Sequence, residues 1–342
     1  MARILITGYG GFLGSRIARL FLQAGWTVRG LARRRYPDLE RAGVEAIRGD
    51  ICDAAVVLEA TRDCDAIVHT AARAGVWGPW DAYYSVNTVA TRQLLEAARH
   101  NCVRAFVHTS SPSVTFAGEH QSGVDESVPY PQRWLCHYPH TKALAEQDVL
   151  EASRDGTLRT CALRPHLIWG QGDPHLFPRV VQRALQGRLR RVGSGENLID
   201  VVHVDAAASA HVAAVERLME GDERINGRAF FLSDGRPVPC WQWIRRILTA
   251  ADVQVPEKSI SYPAAYRLGA VLEWAYRLSR ISAEPPMTRF VAAQLALDHY
   301  FNIDAARQCL AYQPLDDLDE QFDRCRPWLR EVAGRMRKGQ IE

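Results

Sequence analysis

Apolar and polar positions along the first half of the chain follow two regular periods, one typical of buried strands and one typical of helices. Short apolar runs rich in β-branched residues predict strands over 3–8, 26–34, 44–50, 65–72, 103–111 and 158–165. Between them, apolar residues at helical spacing predict helices over 12–25, 54–62, 81–101 and 141–154. This alternation of strand and helix predicts a parallel sheet that helices cover on both faces.

The pattern becomes less regular after about residue 170, although no linker or repeat separates the two parts. It predicts a helix over 175–187, a strand and helix over 197–218, a strand over 228–234 and a mostly helical last third. We therefore expect an α/β fold with a doubly wound, Rossmann-type sheet in residues 1–170. A segment near 197–235 should return to that sheet. Residues 171–342 should otherwise form a smaller, mostly helical substrate-binding lobe interleaved with it.

Composition narrows the class of protein. The net charge of +3 argues against nucleic acid as a partner, because a charge-driven binder concentrates basic residues on one surface. The 8 cysteines form no CxxC pair and indicate free thiols in a reducing compartment, so a cytoplasmic location is expected. The short apolar run at the N-terminus ends in glycines and predicts neither a signal peptide nor a membrane anchor. The histidines show no metal-ligand spacing, so no metal site is expected.

The segment "TGYGGFLG" (7–14) places three glycines at G-x-x-G-x-x-G spacing between a predicted strand and a predicted helix. Gly8 permits a tight turn, Gly11 allows the backbone to approach a pyrophosphate, and Gly14 allows helix and strand to pack closely. The helix N-terminus adds N–H donors and a positive dipole. In this strand–turn–helix context the spacing predicts a dinucleotide site, although a glycine-rich turn that binds nothing is the alternative.

The end of the second predicted strand carries "GLARRR" (30–35), with arginines and no acidic residue. A carboxylate there would bind the ribose hydroxyls of NAD, whereas a cation would bind the 2′-phosphate of NADP. Arg33, and after it Arg34, therefore predict NADP(H), unless the run is only a solvated turn. Asp50 follows the third strand and either caps the next helix or contacts the adenine ring.

In "HYPHTKALAEQ" (137–147), Tyr138 is followed four positions later by Lys142, in a chain whose only other lysines are Lys258 and Lys338. A lysine is a tunable point charge, unlike arginine, and a nearby positive charge lowers the pKa of a phenol. The spacing alone also arises by chance. Because Pro139 disfavours helical geometry in the residue before it, we expect Tyr138 to cap the helix and Pro139 to be its first residue.

Five motifs occur in order: "TGYGGFLG", "HTAA" (69–72), "TSSPSV" (109–114), "YPHTK" (138–142) and "RPHLIWG" (164–170). Together they resemble the extended short-chain dehydrogenase/reductase family over essentially the whole chain. "RPHLIWGQGDPHLFPRVVQRA" and "LSDGRPVPCWQWIRRIL" resemble its 3β-hydroxysteroid dehydrogenase branch. "AARAGVWGPWDAYYSVN" (71–87), "SYPAAYRLGAVLE" (261–273) and "EPPMTRFVAAQL" (284–295) are similar to a bacterial group within it, the 2-alkyl-3-oxoalkanoate reductases.

The resemblance implies a role for each matching residue. Tyr138 would be the general acid, Lys142 would lower its pKa and bind the nicotinamide ribose, and Ser111, preferred to Ser110, would bind the substrate carbonyl. Asn87 would support the lysine through a water, and Pro165 and His166 would line the nicotinamide. The residues expected to bind the dinucleotide are Gly8, Gly11, Phe12, Leu13, Gly14, Arg33, Arg34, Asp50, Ile51, Ala71, Asn87, Tyr138, Lys142, Pro165 and His166.

The implied reaction is NADPH-dependent reduction of a long-chain 2-alkyl-3-oxoalkanoic acid to the 3-hydroxy acid, a step of olefin and β-lactone biosynthesis. The alternatives are a sterol-4α-carboxylate 3-dehydrogenase or another 3β-hydroxysteroid dehydrogenase, a non-catalytic NADP-binding regulator, and, less favoured, a sugar-nucleotide epimerase or dehydratase. The implied ligand is an apolar carboxylic acid, whose carboxylate would pair with His166, His175 or Arg179. Members of the family are commonly homodimers, so a homodimer is expected.

The segment 265–281 has a broad apolar face that includes Tyr266, Trp274 and Tyr276. It predicts either ordinary helix packing, or the wall of an apolar tunnel, or peripheral contact with a membrane or a partner enzyme.

Overall fold

Fifteen strands and thirteen helices make up the computed structural model, which describes residues 1–340. The strands are β1 (Arg3–Thr7), β2 (Thr27–Ala32), β3 (Glu45–Arg48), β4 (Ala66–His69), β5 (Ala105–Thr109), β6 (Gln121–Val124), β7 (Arg159–Pro165), β8 (Ile168–Trp169), β9 (Arg191–Val192), β10 (Leu198–Ile199), β11 (Val202–His203), β12 (Arg228–Leu232), β13 (Val238–Pro239), β14 (Ser259–Ile260) and β15 (His299–Phe301).

The helices are α1 (Phe12–Gln23), α2 (Pro37–Arg41), α3 (Ala54–Ala60), α4 (Trp80–Tyr84), α5 (Ala90–His100), α6 (His137–Glu151), α7 (Leu176–Leu185), α8 (Val204–Glu220), α9 (Cys240–Ala250), α10 (Tyr262–Leu278), α11 (Arg289–Ala296), α12 (Asp304–Leu310) and α13 (Leu318–Arg337). A π-helical turn, Ser85–Val89, joins α4 to α5, and a 3₁₀ turn, Pro112–Thr115, follows β5.

The central sheet has seven parallel strands in the order β12-β7-β5-β4-β1-β2-β3, which confirms the predicted doubly wound Rossmann-type fold. Because side chains alternate across a strand, Ile4 and Ile6 of β1 pack with α1 and α8 on one face. Leu5 packs with α3 and α5 on the other face. Both faces are therefore buried, as the continuous apolar runs of these strands predict.

The remaining elements build a second lobe around its own apolar core. Trp169, Phe177, Trp243 and Phe322 meet in this core, where α7, α9 and α13 pack together. A smaller sheet has the order β13-β10-β15-β6, and β6 enters it from the first half of the chain. The returning strand β12 pairs with β7 in the central sheet, and α8 packs against α1. The chain therefore crosses between the lobes several times.

Several element boundaries differ from the prediction. The helix predicted over 81–101 runs from Trp80 to His100, with the π-helical turn in its middle. Helix α6 begins at His137, before residue 141, where the apolar pattern begins, and before Pro139, which proline preferences made the first helical residue. Pro139 is thus its third residue. Within residues 1–340, no helix combines the length and apolar character needed to cross a bilayer.

Candidate active site

The glycine turn between β1 and α1 has the geometry that its spacing predicts. Gly8 has a φ of +71°, in the left-handed region that favours glycine. A Cβ on Gly14 would overlap the Gly8 carbonyl oxygen, so helix and strand pack too closely for any side chain. Gly11 is the N-cap of α1, whose first turn has no acidic residue. The turn therefore presents free backbone N–H groups to an anion.

A cleft of about 1230 Å³ follows the carboxyl ends of the central strands, where ligands bind in open α/β sheets. It brings together most of the residues predicted to form the site. Those lining it are Gly8, Gly11, Phe12, Leu13, Gly14, Arg33, Arg34, Asp50, Ile51, Ala71, Ser111, Tyr138, Lys142 and Pro165. Asn87 and His166 are not among the lining residues.

The predicted phosphate-binding arginines follow β2 directly and line the cleft. Within residues 1–340, neither Arg33 nor Arg34 forms an ion pair, whereas the adjacent Arg35 is paired with Glu40. Asp50 also lines the cleft, but its carboxylate accepts a hydrogen bond from the backbone N–H of Cys52. The N-cap of α3 is instead Asp53, so the suggestion that Asp50 caps this helix is wrong.

The N-terminus of α6 differs from the prediction that Tyr138 caps the helix. Cys136 is the N-cap, and Tyr138 is the second helical residue. Pro139 is tolerated at the third position because the first N–H groups of a helix have no intrahelical partner. Tyr138 and Lys142 are thus separated by a regular helical turn and line the same cleft.

Ser111 follows β5 at the same edge of the sheet. Its hydroxyl lies 2.8 Å from the Ser113 hydroxyl and interacts with the Tyr138 hydroxyl. Ser110 is only 4 % exposed, which leaves Ser111 as the more accessible hydroxyl of the pair. The geometry thus favours the predicted order of preference between them.

Burial sets the charge state of the pair. It raises the pKa of Tyr138 to about 12, although the hydrogen bond with Ser111 lowers this pKa in part. Burial also lowers the pKa of Lys142 to about 7, against the raising effect of Glu146. Burial therefore outweighs the lowering of the tyrosine pKa that was expected from Lys142. The reason is that desolvation opposes both the phenolate and the ammonium.

The side chain of Asn87 does not reach Lys142. Its carboxamide accepts a hydrogen bond from Arg73 N at 2.8 Å and donates to Arg73 O and Thr141 Oγ1, each at 3.1 Å. Asn87 lies in the π-helical turn, a feature that often marks functional sites. It therefore fixes the loop that carries Arg73 against the catalytic helix.

The three residues predicted to pair with the substrate carboxylate have different surroundings in the structure. His166 is buried, and its ring bonds that of His299 at 2.7 Å, away from the cleft. His175 and Arg179 line the cleft, but Arg179 is paired with Glu284. Sequence reasoning missed Arg73, which also lines the cleft, is exposed and forms no ion pair within residues 1–340. Its position shortly after β4, next to the "HTAA" motif, could have indicated from the sequence that it belongs to the site.

The apolar segment predicted over 265–281 lies mostly in α10, with two kinds of surroundings. Tyr266 packs inward with Val192 and Ala292. Trp274 is 66 % exposed, and the apolar side chains of Val271 and Leu278 are exposed to a similar degree. Trp77 of the loop near the cleft donates a hydrogen bond to Ile281 O. The C-terminal end of α10 therefore lies beside the loop that carries Arg73.

Comparisons with known proteins agree with this arrangement. Residues 5–263 match the model of the 3-beta hydroxysteroid dehydrogenase/isomerase family. The chain is 42% identical over 330 residues to a 2-alkyl-3-oxoalkanoate reductase of Shewanella oneidensis, covering 95% of this chain and 85% of that protein. It is 30% identical over 323 residues to the decarboxylating sterol-4-alpha-carboxylate 3-dehydrogenase of Mus musculus, covering 93% and 88%.

Solved structures of the same fold include a UDP-glucuronic acid 4-epimerase from Bacillus cereus in complex with UDP-glucuronic acid and NAD. It superposes with a TM-score of 0.72 at 21% identity, over 96% of this chain and 99% of that chain. At this identity the likeness supports the fold alone.

Proposed function

The chain belongs to the 3-beta hydroxysteroid dehydrogenase/isomerase family, and on that premise we propose that it is an NADP(H)-dependent reductase of long-chain 2-alkyl-3-oxoalkanoic acids. It is a dehydrogenase/reductase that acts on CH–OH and C=O groups. One observation carries the proposal: Ser111, Tyr138 and Lys142 line the same cleft as the glycine turn and the two arginines that follow β2. The reductase of Shewanella oneidensis motivates the substrate.

The residues present fit a dinucleotide that carries a 2′-phosphate. Gly8 adopts the left-handed conformation of the turn and Gly14 lets α1 pack against it, so the N-terminus of α1 lies at the cleft, where a pyrophosphate would bind. Arg33 and Arg34 lie after β2, where a ribose phosphate would be bound, and neither forms an ion pair in the described part of the chain, residues 1–340. No acidic side chain follows β2 directly to favour the unphosphorylated ribose. These features support NADP(H) over NAD(H).

The high pKa of Tyr138 suits the direction of reduction. When bound, NADPH supplies the hydride to the substrate carbonyl carbon. Tyr138 keeps its proton at neutral pH and donates it to the carbonyl oxygen, which becomes far more basic than a phenolate during hydride transfer. Ser111 donates a hydrogen bond to the same oxygen and orients it. Lys142 stabilises the phenolate that Tyr138 leaves behind.

The substrate carboxylate needs a cation at the cleft. Arg73 is the candidate that the geometry favours, because it is exposed and has no ion pair among the described residues 1–340, while Arg179 is engaged by Glu284. The product would be a 2-alkyl-3-hydroxyalkanoic acid, which we place in olefin and β-lactone biosynthesis as part of this proposal.

The test compares two substrates and two cofactors with one purified protein. Absorbance of the reduced nicotinamide is followed with a 2-alkyl-3-oxoalkanoic acid and NADPH, and in reverse with a 3β-hydroxysterol 4-carboxylic acid and NAD. We expect NADPH-dependent turnover of the keto acid. Turnover of the sterol acid with NAD instead would support the activity named for the mouse relative and overturn our substrate and cofactor. NADPH binding without turnover of either would indicate a non-catalytic binding protein.

A further inference from the structure

The ammonium group of Lys142 forms hydrogen bonds with two residues of strand β5. Lys142 is 2 % exposed, and its Nζ lies 2.9 Å from His108 Nε2 and 2.6 Å from the carbonyl oxygen of Thr109. His108 is fully buried on β5, an interior strand of the central sheet. The role proposed for Lys142 does not use this histidine.

The hydrogen-bond chemistry decides the tautomer of His108. Below its pKa of about 7, Lys142 is an ammonium group that only donates, so the Nε2 atom that it contacts must accept and the ring proton must lie on Nδ1. His108 Nδ1 has no partner within residues 1–340. No other group therefore competes with Lys142 in setting the tautomer.

The neighbouring His69 provides a contrast. It pairs with His108 across β4 and β5, and the two ring centroids are 5.2 Å apart. Both of its nitrogens bond threonine hydroxyls, Thr7 at 2.7 Å and Thr91 at 3.0 Å. His69 is thus equally buried but bonds neither Lys142 nor His108.

The other titratable groups around the pair are already engaged. Glu146, one turn further along α6, is bonded to Arg164 and Tyr130. His211 of α8 bonds Thr109 Oγ1 and the backbone oxygen of Ala207. Tyr138 lies one turn before Lys142 on the cleft side. None of them offers Lys142 a direct acceptor, so His108 and Thr109 O are its hydrogen-bond partners within the described chain.

We propose that His108 is a positioning residue for Lys142: its Nε2 accepts a hydrogen bond from the ammonium group and holds that cation at the back of the cleft. Two of the three ammonium protons are then fixed, and the third points toward the cleft. A hydrogen bond to the charged form also favours that form against desolvation. The role of this contact in turnover rests on the proposed function.

The test uses the small number of lysines. With ¹³Cε-labelled lysine, the chain gives signals from Lys142, Lys258 and Lys338 only, and the buried signal is assigned by its loss in Lys142→Met. In the ligand-free protein we expect Lys142 to titrate near pH 7. His108→Leu should lower this midpoint by about one pH unit, because the ammonium loses an acceptor. His108→Gln should restore it, because its side-chain oxygen reaches the position of Nε2.

His69→Leu is the matched control, since it removes a buried ring from the adjacent strand without touching Lys142. Its Lys142 midpoint should stay at the wild-type value. Equal midpoints in wild type and His108→Leu would overturn the proposal, as would an Nε2–H tautomer of His108 in a ¹⁵N spectrum of the wild type recorded well below pH 7, where Lys142 is an ammonium group. If His108→Leu fails to fold, the ¹⁵N spectrum of the wild type still tests the proposal.

Turnover assays distinguish a failure of this proposal from a failure of the proposed function. If the wild type reduces the keto acid, the high-pH limb of kcat should move to lower pH in His108→Leu but not in His69→Leu. If the midpoint shifts as expected while the wild type reduces no keto acid, the proposed substrate fails and the positioning contact stands.

Discussion

Arg164 of β7 forms a fully buried ion pair with Glu146 of α6, at 2.6 Å, one helical turn beyond Lys142. Tyr130 donates a further hydrogen bond to the same carboxylate. The pair joins the catalytic helix to the central sheet. It also places the negative charge that raises the pKa of Lys142 against burial.

Glu146→Gln should destabilise the fold strongly, because it leaves the Arg164 guanidinium buried without a counter-charge. We expect a loss of about 3–5 kcal/mol in the free energy of unfolding, measured by chemical denaturation. Glu151→Gln is the control on the same helix, where the pair with Arg154 is exposed and should contribute less than about 1 kcal/mol. Equal losses in the two variants would show that the buried pair is not a structural link.

Gly14→Ala should damage both stability and nucleotide binding, because its Cβ would overlap the carbonyl oxygen of Gly8. Overpacking of this kind costs about 1–3 kcal/mol, and the displaced turn should bind NADPH more weakly by fluorescence titration. Gly334→Ala in α13 meets no atom within 4 Å and should be neutral or stabilising. Unchanged NADPH affinity in Gly14→Ala would remove the turn from the site.

Cofactor preference should depend on Arg33. Arg33→Ser should raise KM for NADPH by about 10- to 100-fold, because a charge-assisted hydrogen bond to the 2′-phosphate is lost, and leave KM for NADH nearly unchanged. Arg35→Ser is the matched control, since Arg35 is paired with Glu40 and does not line the cleft. A parallel rise for NADPH and NADH would instead indicate general damage to the turn.

Recognition of the substrate carboxylate should depend on Arg73. Arg73→Gln should raise KM for the keto acid by about 10-fold or more and leave KM for its methyl ester unchanged. Arg179→Gln should have the smaller effect, because Glu284 already compensates that charge. The opposite ranking in steady-state kinetics would move the carboxylate site to the Arg179 side of the cleft.

The central sheet and the glycine turn at the edge of the site could be predicted from the sequence, because both depend on local patterns. Apolar runs in β1 and β4 are buried on both faces, and the glycine spacing after β1 leaves the chain few alternatives. Helix start signals were weaker. Proline preferences placed the start of α6 two residues late, because the helix accepts Pro139 at its third position.

Contacts between distant segments could not be read from the sequence. Asn87 lies in a π-helical turn that no periodicity signals, and its carboxamide bonds a loop 14 residues earlier. His166 follows the motif proline, yet its ring faces His299. The His108 contact joins a strand to a helix 34 residues away. Each depends on how elements pack, which single-residue preferences do not encode.

The central claim is that Tyr138 donates the proton in the reduction. Its matched control is Tyr312→Phe, which removes a buried hydroxyl that bonds Ser233 O outside the residues lining the cleft. That variant should keep the wild-type rate even if its stability falls.

The most direct measurement is a single-turnover reaction of Tyr138→Phe, preloaded with NADPH, with a 2-alkyl-3-oxoalkanoic acid. NADPH affinity, measured first, should match the wild type. The rate of NADPH oxidation should fall by at least about 100-fold, because no side chain replaces the lost acid. A rate within a few-fold of wild type would contradict the account.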